Sequence, residues 1–229
     1  MRIVLLGPPG AGKGSLASLY NTRLGIAHIS TGEIFRQEMA RNSRLGRRVQ
    51  RYVASGRLVP DALVVQVMAT RLDRRTLRRG YVLDGFPRTD GQAAGLGRLL
   101  EHRRSPLDGA VYLAAPQALL IRRLSGRRVC GRCGANYHIR TRRPTRPGRC
   151  DRCQGPLTIR KDDQPATIKK RLAIDRQAAV PLVRYYQRRG LLHRVNAAGA
   201  LETVYRRSLK RFRQHGWLRD DPTTWQVVG

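Results

Sequence analysis

The feature that most constrains this chain is its first fifteen residues, MRIVLLGPPGAGKGS, which set a glycine-rich loop between an apolar run and a helical pattern. Ile3 to Leu6 suits a buried strand, and Leu16, Leu19 and Leu24 follow Lys13 at helical spacing. Strand, loop and helix in that order form a phosphate-binding unit. Backbone N–H groups wrap phosphate oxygens only where no Cβ intrudes, and Gly7, Gly10, Gly12 and Gly14 supply that room. Lys13 then reaches the terminal phosphates, and the N-terminus of the helix adds partial positive charge.

Short apolar runs alternate with helical patterns along the rest of the chain. Strands are expected at 27–29, 81–83, 110–113 and 191–195. With the first run they make five, which predicts an α/β fold with a doubly wound, parallel five-stranded sheet. Ser30 or Thr31 caps a helix running through Arg36, with Glu33 placed for a capping box. Further helices are expected from Leu45 to about Ser55, stopping at Gly56, and from Asp61, read as an N-cap, with a stripe of Val64, Val65, Met68 and Leu72. Asp84 closes the third strand, where a carboxylate facing the phosphate loop holds magnesium or its water. Arg88 lies just past the turn. Gln92 follows, with an amide that both donates and accepts and so suits a nucleobase edge. Arg123 and Arg127 stand four apart, as on one helical face. A long helix from Pro165 to about Gln187 contains Pro181, so a kink or break is expected near Val180. Residues 200–215 form a last amphipathic helix, and 216–229 read as a terminal tail that either packs through Trp217 or Trp225 or is disordered.

Cys130 and Cys133 form one C-x2-C pair and Cys150 and Cys153 another, with sixteen residues between them. Each pair spans one edge of a tetrahedron, so the four thiolates predict a structural zinc site with no open position for catalysis. Gly134 and Gly155 stand where such knuckles turn, and Arg127, Arg128, Arg132, Arg149 and Arg152 flank the site closely enough to offset its negative charge.

Taken together, GPPGAGKGS, STGEIFR, GFPRT, SGRRV and RKDD resemble adenylate kinase of the nucleoside monophosphate kinase family, in the long-lid form whose lid holds zinc. The likeness runs from Met1 to about Lys210. It implies a core of residues 1–29, 60–126 and 161–229, an AMP-binding insertion at 30–59 and a zinc-binding lid at 127–160. It also implies reversible phosphoryl transfer from magnesium ATP to AMP, giving two ADP. On matching positions, Gly10, Ala11, Gly12, Lys13, Gly14 and Ser15 hold ATP phosphates, and Arg123 stacks on the ATP adenine. AMP falls to Thr31, Arg36, Val59, Gly85, Arg88 and Gln92, with Arg36 and Arg88 on its phosphate and Gln92 on its base. Asp84 orients magnesium through water, and Arg127, Arg160 and Arg171 converge on the transferred group, the last two also serving AMP. Asp162 and Asp163 match lid carboxylates that position those arginines. Ser15 replaces the usual threonine, and the Val195–Gly199 loop, which aligns with the backbone contact to the ATP base, differs in composition. No general base is needed, because the attacking phosphate oxygen is already ionised, and the five histidines read as structural or surface.

Composition adds one unusual feature. Lys and Arg number 46 against 15 Asp and Glu, a formal charge of +31. Such a field attracts nucleotides and also polyanions, so nonspecific, salt-sensitive nucleic-acid binding is expected alongside the partners ATP and AMP. No apolar segment approaches the roughly 18 residues a membrane span needs, and a soluble, cytoplasmic monomer is expected. Two other readings compete. One is a kinase for CMP, UMP or GMP; the other is a basic zinc-ribbon protein that contacts nucleic acid through Ile139–Arg149. The second leaves the phosphate loop, Asp84 and Arg88 unexplained and offers one nearby aromatic, Tyr137, for stacking.

Overall fold

The computed structural model describes residues 1–54, 59–160 and 163–218. The expected helix stop at Gly56, the lid carboxylate Asp162 and the tail beyond Leu218 with Trp225 lie outside the described residues. Five strands form one parallel sheet: β1 (Arg2–Leu6), β2 (Ala27–Ser30), β3 (Tyr81–Asp84), β4 (Gly109–Ala114) and, after a small second sheet, β8 (Leu192–Asn196). Their order is β2-β3-β1-β4-β8, so the chain winds outward on both sides of β1. Alternation along β1 decides which face each side chain covers. Ile3 and Leu5 join one core cluster with α1 (Lys13–Leu24) and α9 (Leu201–Gln214). Val4 and Leu6 join the other, beneath α4 (Asp61–Arg71), α6 (Asp90–His102) and the C-terminal part of α8 (Pro165–Arg188). Both faces are therefore dry, as a parallel sheet requires.

The remaining helices are α2 (Thr31–Ala40), α3 (Arg44–Ala54), α5 (Arg74–Arg79) and α7 (Gln117–Ser125). Ser30 caps α2 as expected, its hydroxyl accepting from the Glu33 N–H at 3.4 Å. Asp61 does not cap α4. Pro60 holds that position, and the Asp61 carboxylate instead accepts from Thr89 Oγ1 at 2.8 Å and Gln92 Nε2 at 2.9 Å. Helix α5 was not anticipated, because RRTLRR buries no side chain and has no apolar period; Asp73 starts it by accepting from the Thr76 N–H. No break occurs at Pro181, and α8 runs on through Arg188. Arg123 and Arg127 do not share a helix either, since α7 ends at Ser125 and Arg127 opens a strand. Trp217 packs on the first core cluster, edge-on to His193.

The cysteine segment forms an antiparallel sheet of order β6-β5-β7, from β5 (Arg127–Cys130), β6 (Asn136–His138) and β7 (Leu157–Thr158). Two matching turns carry the thiols. Cys130 N–H donates to the Ala135 carbonyl and Cys150 N–H to that of Gly155, both at 2.9 Å. Gly134 takes the left-handed conformation in the first turn, φ 73°, but Gln154 takes it in the second, φ 58°. Gly155 is needed for space instead, since a Cβ there would stand 3.0 Å from Cys130 Sγ. No helix among the described residues is long and apolar enough to cross a membrane.

Candidate active site and metal centre

The carboxyl ends of β1, β2 and β3 open into a cavity of about 1550 Å³, closed on other sides by α7, α8 and the small sheet. Open α/β sheets bind ligands at this edge, and here the order reverses about β1. The loop from Gly10 to Ser15 lines the cavity. Gly10 and Gly12 have φ of 83° and 97°, values that turn their N–H groups inward at little cost only for glycine. Lys13 Nζ donates to the Gly7 and Pro8 carbonyls. Burial pulls its ammonium below the ordinary lysine value, with Asp84 and Asp175 opposing.

A glycine after Lys13 has a local cause. A Cβ at Gly14 would lie 3.1 Å from Asp84 Oδ2, so the carboxylate occupies the space a side chain would need. Burial pushes the Asp84 carboxyl up, but His28, Lys13 and Arg88 outweigh it and hold it below the usual range. His28 Nε2 lies 3.6 Å from Asp84 Oδ2 at the cavity wall. Read from the sequence as structural or surface, it lies within β2 next to β3, its ring beside the carboxylate.

Arg36, Gly85, Arg88, Arg160 and Arg171 also line the cavity. Thr31, Val59 and Gln92 do not. Thr31, 3% exposed, donates to the Gly85 carbonyl at 2.9 Å, while Arg88 Nε donates to the same oxygen at 2.9 Å. Val59 packs on the second core cluster. Gln92 is also 3% exposed, its Oε1 accepting from the Arg88 N–H at 2.8 Å and its Nε2 held by Asp61. One amide hydrogen and one lone pair are left over.

On the opposite side Arg123 bridges three segments. Its Nη2 donates to the Ala197 and Gly199 carbonyls at 3.0 and 2.9 Å, and its Nη1 reaches the Gly10 and Ala11 carbonyls. The 195–199 loop and the phosphate loop are thus brought together. Arg127 makes a two-pronged pair with the fully buried Asp163, both contacts at 2.6 Å, and Arg171 joins that carboxylate at 3.0 Å. Arg127, expected to flank the thiol cluster, is thus paired with a carboxylate at the start of β5. Arg160 donates to Asn136 Oδ1 at 3.3 Å.

Asp175 was missed by the sequence reading. It lies one helical turn beyond Arg171 on α8 and lines the cavity. Burial pushes its carboxyl up, against the pull of Lys13, Arg88 and Arg171. Its spacing from Arg171 is the only sequence signal that pointed to it.

The four cysteine sulfurs lie within 4.8 Å of one another. Sγ pairs stand at 3.4 Å for Cys130 and Cys153 and 3.5 Å for Cys133 and Cys150, spacings a tetrathiolate zinc site tolerates. The cluster is consistent with zinc. Tyr137 OH lies 3.5 Å from Cys150 Sγ and accepts from the Asp151 N–H. Arg132 and Arg149 reach the Cys153 and Gln154 carbonyls and so lie beside the cluster.

The adenylate kinase family model matches residues 5–191. The adenylate kinase of Moorella thermoacetica is 47% identical over 204 residues, covering 89% of this chain and 94% of that protein. That of Clostridium botulinum strain 657 is 42% identical over 205 residues, covering 90% and 95%, and that of Clostridium tetani 44% over 192, covering 84% and 89%. With the five-stranded parallel sheet, the phosphate loop against Asp84 and the four-cysteine sheet already in place, these matches show that the chain belongs to the adenylate kinase family, the ATP:AMP phosphotransferases.

Proposed function

We propose that in this ATP:AMP phosphotransferase, which interconverts ATP plus AMP with two ADP, residues Gly10 to Ser15 hold the phosphates of ATP and Arg36 and Arg88 hold that of AMP. The observation that carries this division is the shared cavity in which Lys13, Arg88 and Arg171 face one another across Asp84 and Asp175. Phosphoryl transfer requires alignment and charge neutralisation of a loose transition state more than acid or base chemistry. Lys13, Arg127, Arg160 and Arg171 supply that charge, and Asp163 ties Arg127 and Arg171 to one carboxylate, which holds the two guanidiniums side by side. Arg160 and Arg171 also bear on the AMP phosphate. Asp84, held ionised, is the residue that would hold magnesium through water, and the bound metal would neutralise phosphate charge there.

Arg123, pinned beside the 195–199 loop, offers its guanidinium plane to the ATP adenine. Thr31, Val59, the Gly85 backbone and Gln92 form the AMP base side, with Gln92 using its spare hydrogen and lone pair. Residues 30–59 close over AMP and 127–160 over ATP, shutting out water that would hydrolyse the nucleotide. The rest of the chain is the core they move against. Zinc on the four cysteines supplies lid rigidity and no chemistry, since all four positions are protein thiolates. The chain acts as a monomer, and its +31 charge gives salt-sensitive attraction to polyanions beyond its substrates.

The test is transfer from magnesium ATP to AMP, CMP, UMP and GMP, with Lys13→Ala as control. Transfer to AMP above the others by at least tenfold is expected. In the variant, loss of one charge-stabilising contact of about 3 kcal/mol lowers kcat at least a hundredfold. Equal use of all four acceptors would overturn the assignment of Gln92 to adenine, and a fully active variant would overturn that of Lys13.

A further inference from the structure

At the opposite end of the sheet from the phosphate loop lies a second cleft, of about 450 Å³, whose charge the phosphotransferase reaction does not use. Five arginines line it, brought there by three elements. Arg2 opens β1, Arg74 and Arg78 share a face of α5, and Arg103 and Arg104 follow the end of α6. β1 has five residues at about 3.3 Å each, so roughly 16 Å of strand separates this cleft from the catalytic cavity.

Two of the five are fixed by the fold. Arg2 donates to Ser105 Oγ at 2.8 Å and approaches Asp108, which also accepts from the Arg2 backbone N–H. Arg103 donates to the Leu72 and Ala69 carbonyls at the end of α4. The side chains of Arg74, Arg78 and Arg104 have no hydrogen-bond or ion-pair partner among the described residues, and Arg104 holds a left-handed backbone, φ 49°.

The comparison with the catalytic cavity is informative. There the cations face Asp84 and Asp175 from the same walls; in this second cleft no carboxylate is among the lining residues. Asp108, behind the wall, serves Arg2 and the amino terminus, which leaves the other four guanidiniums with no carboxylate among the described residues and open to an anion from outside. Guanidinium forks match phosphate oxygens, and arginines from three elements suit several phosphates in a row better than one. No aromatic side chain lines the cleft, so it offers no platform for a base.

We propose that this cleft is a second anion site, which binds a short inorganic oligophosphate chain independently of the catalytic cavity. The occupant is recognised through its phosphates alone.

An amide NMR titration of the full chain with sodium tripolyphosphate tests this in about 150 mM salt, where charges are screened beyond about 8 Å. Gly80 and Ser105 report the cleft, and Gly10 and Gly12 report the catalytic cavity. Saturable shifts at Gly80 and Ser105 are expected. In Arg78→Ser/Arg104→Ser they weaken at least tenfold, while the Gly10 and Gly12 titrations and turnover with AMP stay within twofold. Arg103 is left intact because it ties down α4.

Absence of saturation at Gly80 and Ser105 in the unaltered chain overturns the site whatever the variant does. So does an unchanged titration in the double variant, or a response that vanishes when salt is raised from low to physiological. A short single-stranded RNA that binds at these amides more tightly than oligophosphate of equal charge overturns the choice of occupant in favour of nucleic acid.

Discussion

Single side chains in this site work through neighbours that the motifs do not name. Gly14 is small because Asp84 stands against it, and Asp84 stays ionised because His28, Lys13 and Arg88 outweigh its burial. Asp61 is a similar case. It was expected to start a helix, yet it fixes both Thr89 and Gln92 from across the acceptor side. Replacing Asp61 with Ala frees the Gln92 amide to rotate. The KM for AMP should rise about tenfold, equivalent to about 1.4 kcal/mol, with kcat within twofold and the KM for ATP unchanged. Steady-state kinetics with each substrate varied in turn checks this, and an equal rise in both KM values would mean a general loosening of the fold.

Among the elements, the small sheet is the one that cannot stand on its own apolar content. Its core cluster holds four buried residues, Cys130, Ala135, Tyr137 and Cys150, and two of them are metal ligands by spacing. Metal held by the four thiolates would therefore supply much of its folding free energy, on the order of 10 kcal/mol being available from a tetrathiolate site. Cys150→Ser should lower the thermal midpoint by roughly 10 °C, at about 2–4 °C per kcal/mol for a chain this long. Turnover at low temperature should stay within tenfold. Loss of catalysis in a variant whose melting is unchanged would contradict a purely structural centre. The link to the core runs through Asp163, which joins Arg127 at the start of β5 to Arg171 on α8, so a shift of the sheet is felt at two arginines of the cavity.

Over the whole molecule, stability depends on buried tyrosines as well as on aliphatic side chains. Tyr20, Tyr81 and Tyr186 are nearly inaccessible, and burial raises the pKa of each phenol. The unfolded chain ionises its tyrosines near pH 10, whereas the folded chain keeps these three protonated, so the unfolded state binds fewer protons above that pH. Their contribution is fully present below pH 10 and is lost as pH rises, by up to about 1.4 kcal/mol per pH unit for each. The hydroxyls of Tyr81 and Tyr186 have no hydrogen-bond partner among the described residues. Tyr81→Phe should thus change stability at pH 7 by less than about 1 kcal/mol while reducing the alkaline slope by up to about 1.4 kcal/mol per pH unit. Urea midpoints measured from pH 9 to 11 check both halves. An unchanged slope in the variant would show that Tyr81 is not among the groups responsible.

The sequence alone determined the strand, loop and helix at the start, the sheet class and the four-cysteine site. Each depends on local spacing: period two for a strand, glycines where N–H groups turn inward, and paired thiols at the bite of a tetrahedron. It also brought out Lys13, Arg36 and Arg88 as candidates, because these lie in short motifs, and Asp84, because it closes a strand; Arg123 and Arg171 came from the resemblance to the family. Only the tertiary structure placed Asp175 against Lys13, Asp61 against Gln92 and His28 beside Asp84, since each pair joins residues far apart in the chain. Of the kink or break expected near Val180 it excluded the break, since the helix continues past Pro181 and holds Leu182 and Tyr186 in the core just beyond the proline. Periodicity shows which side chains a helix can bury. Which charge stands opposite another is decided by the sheet order, which brings the ends of β1, β2 and β3 to one edge.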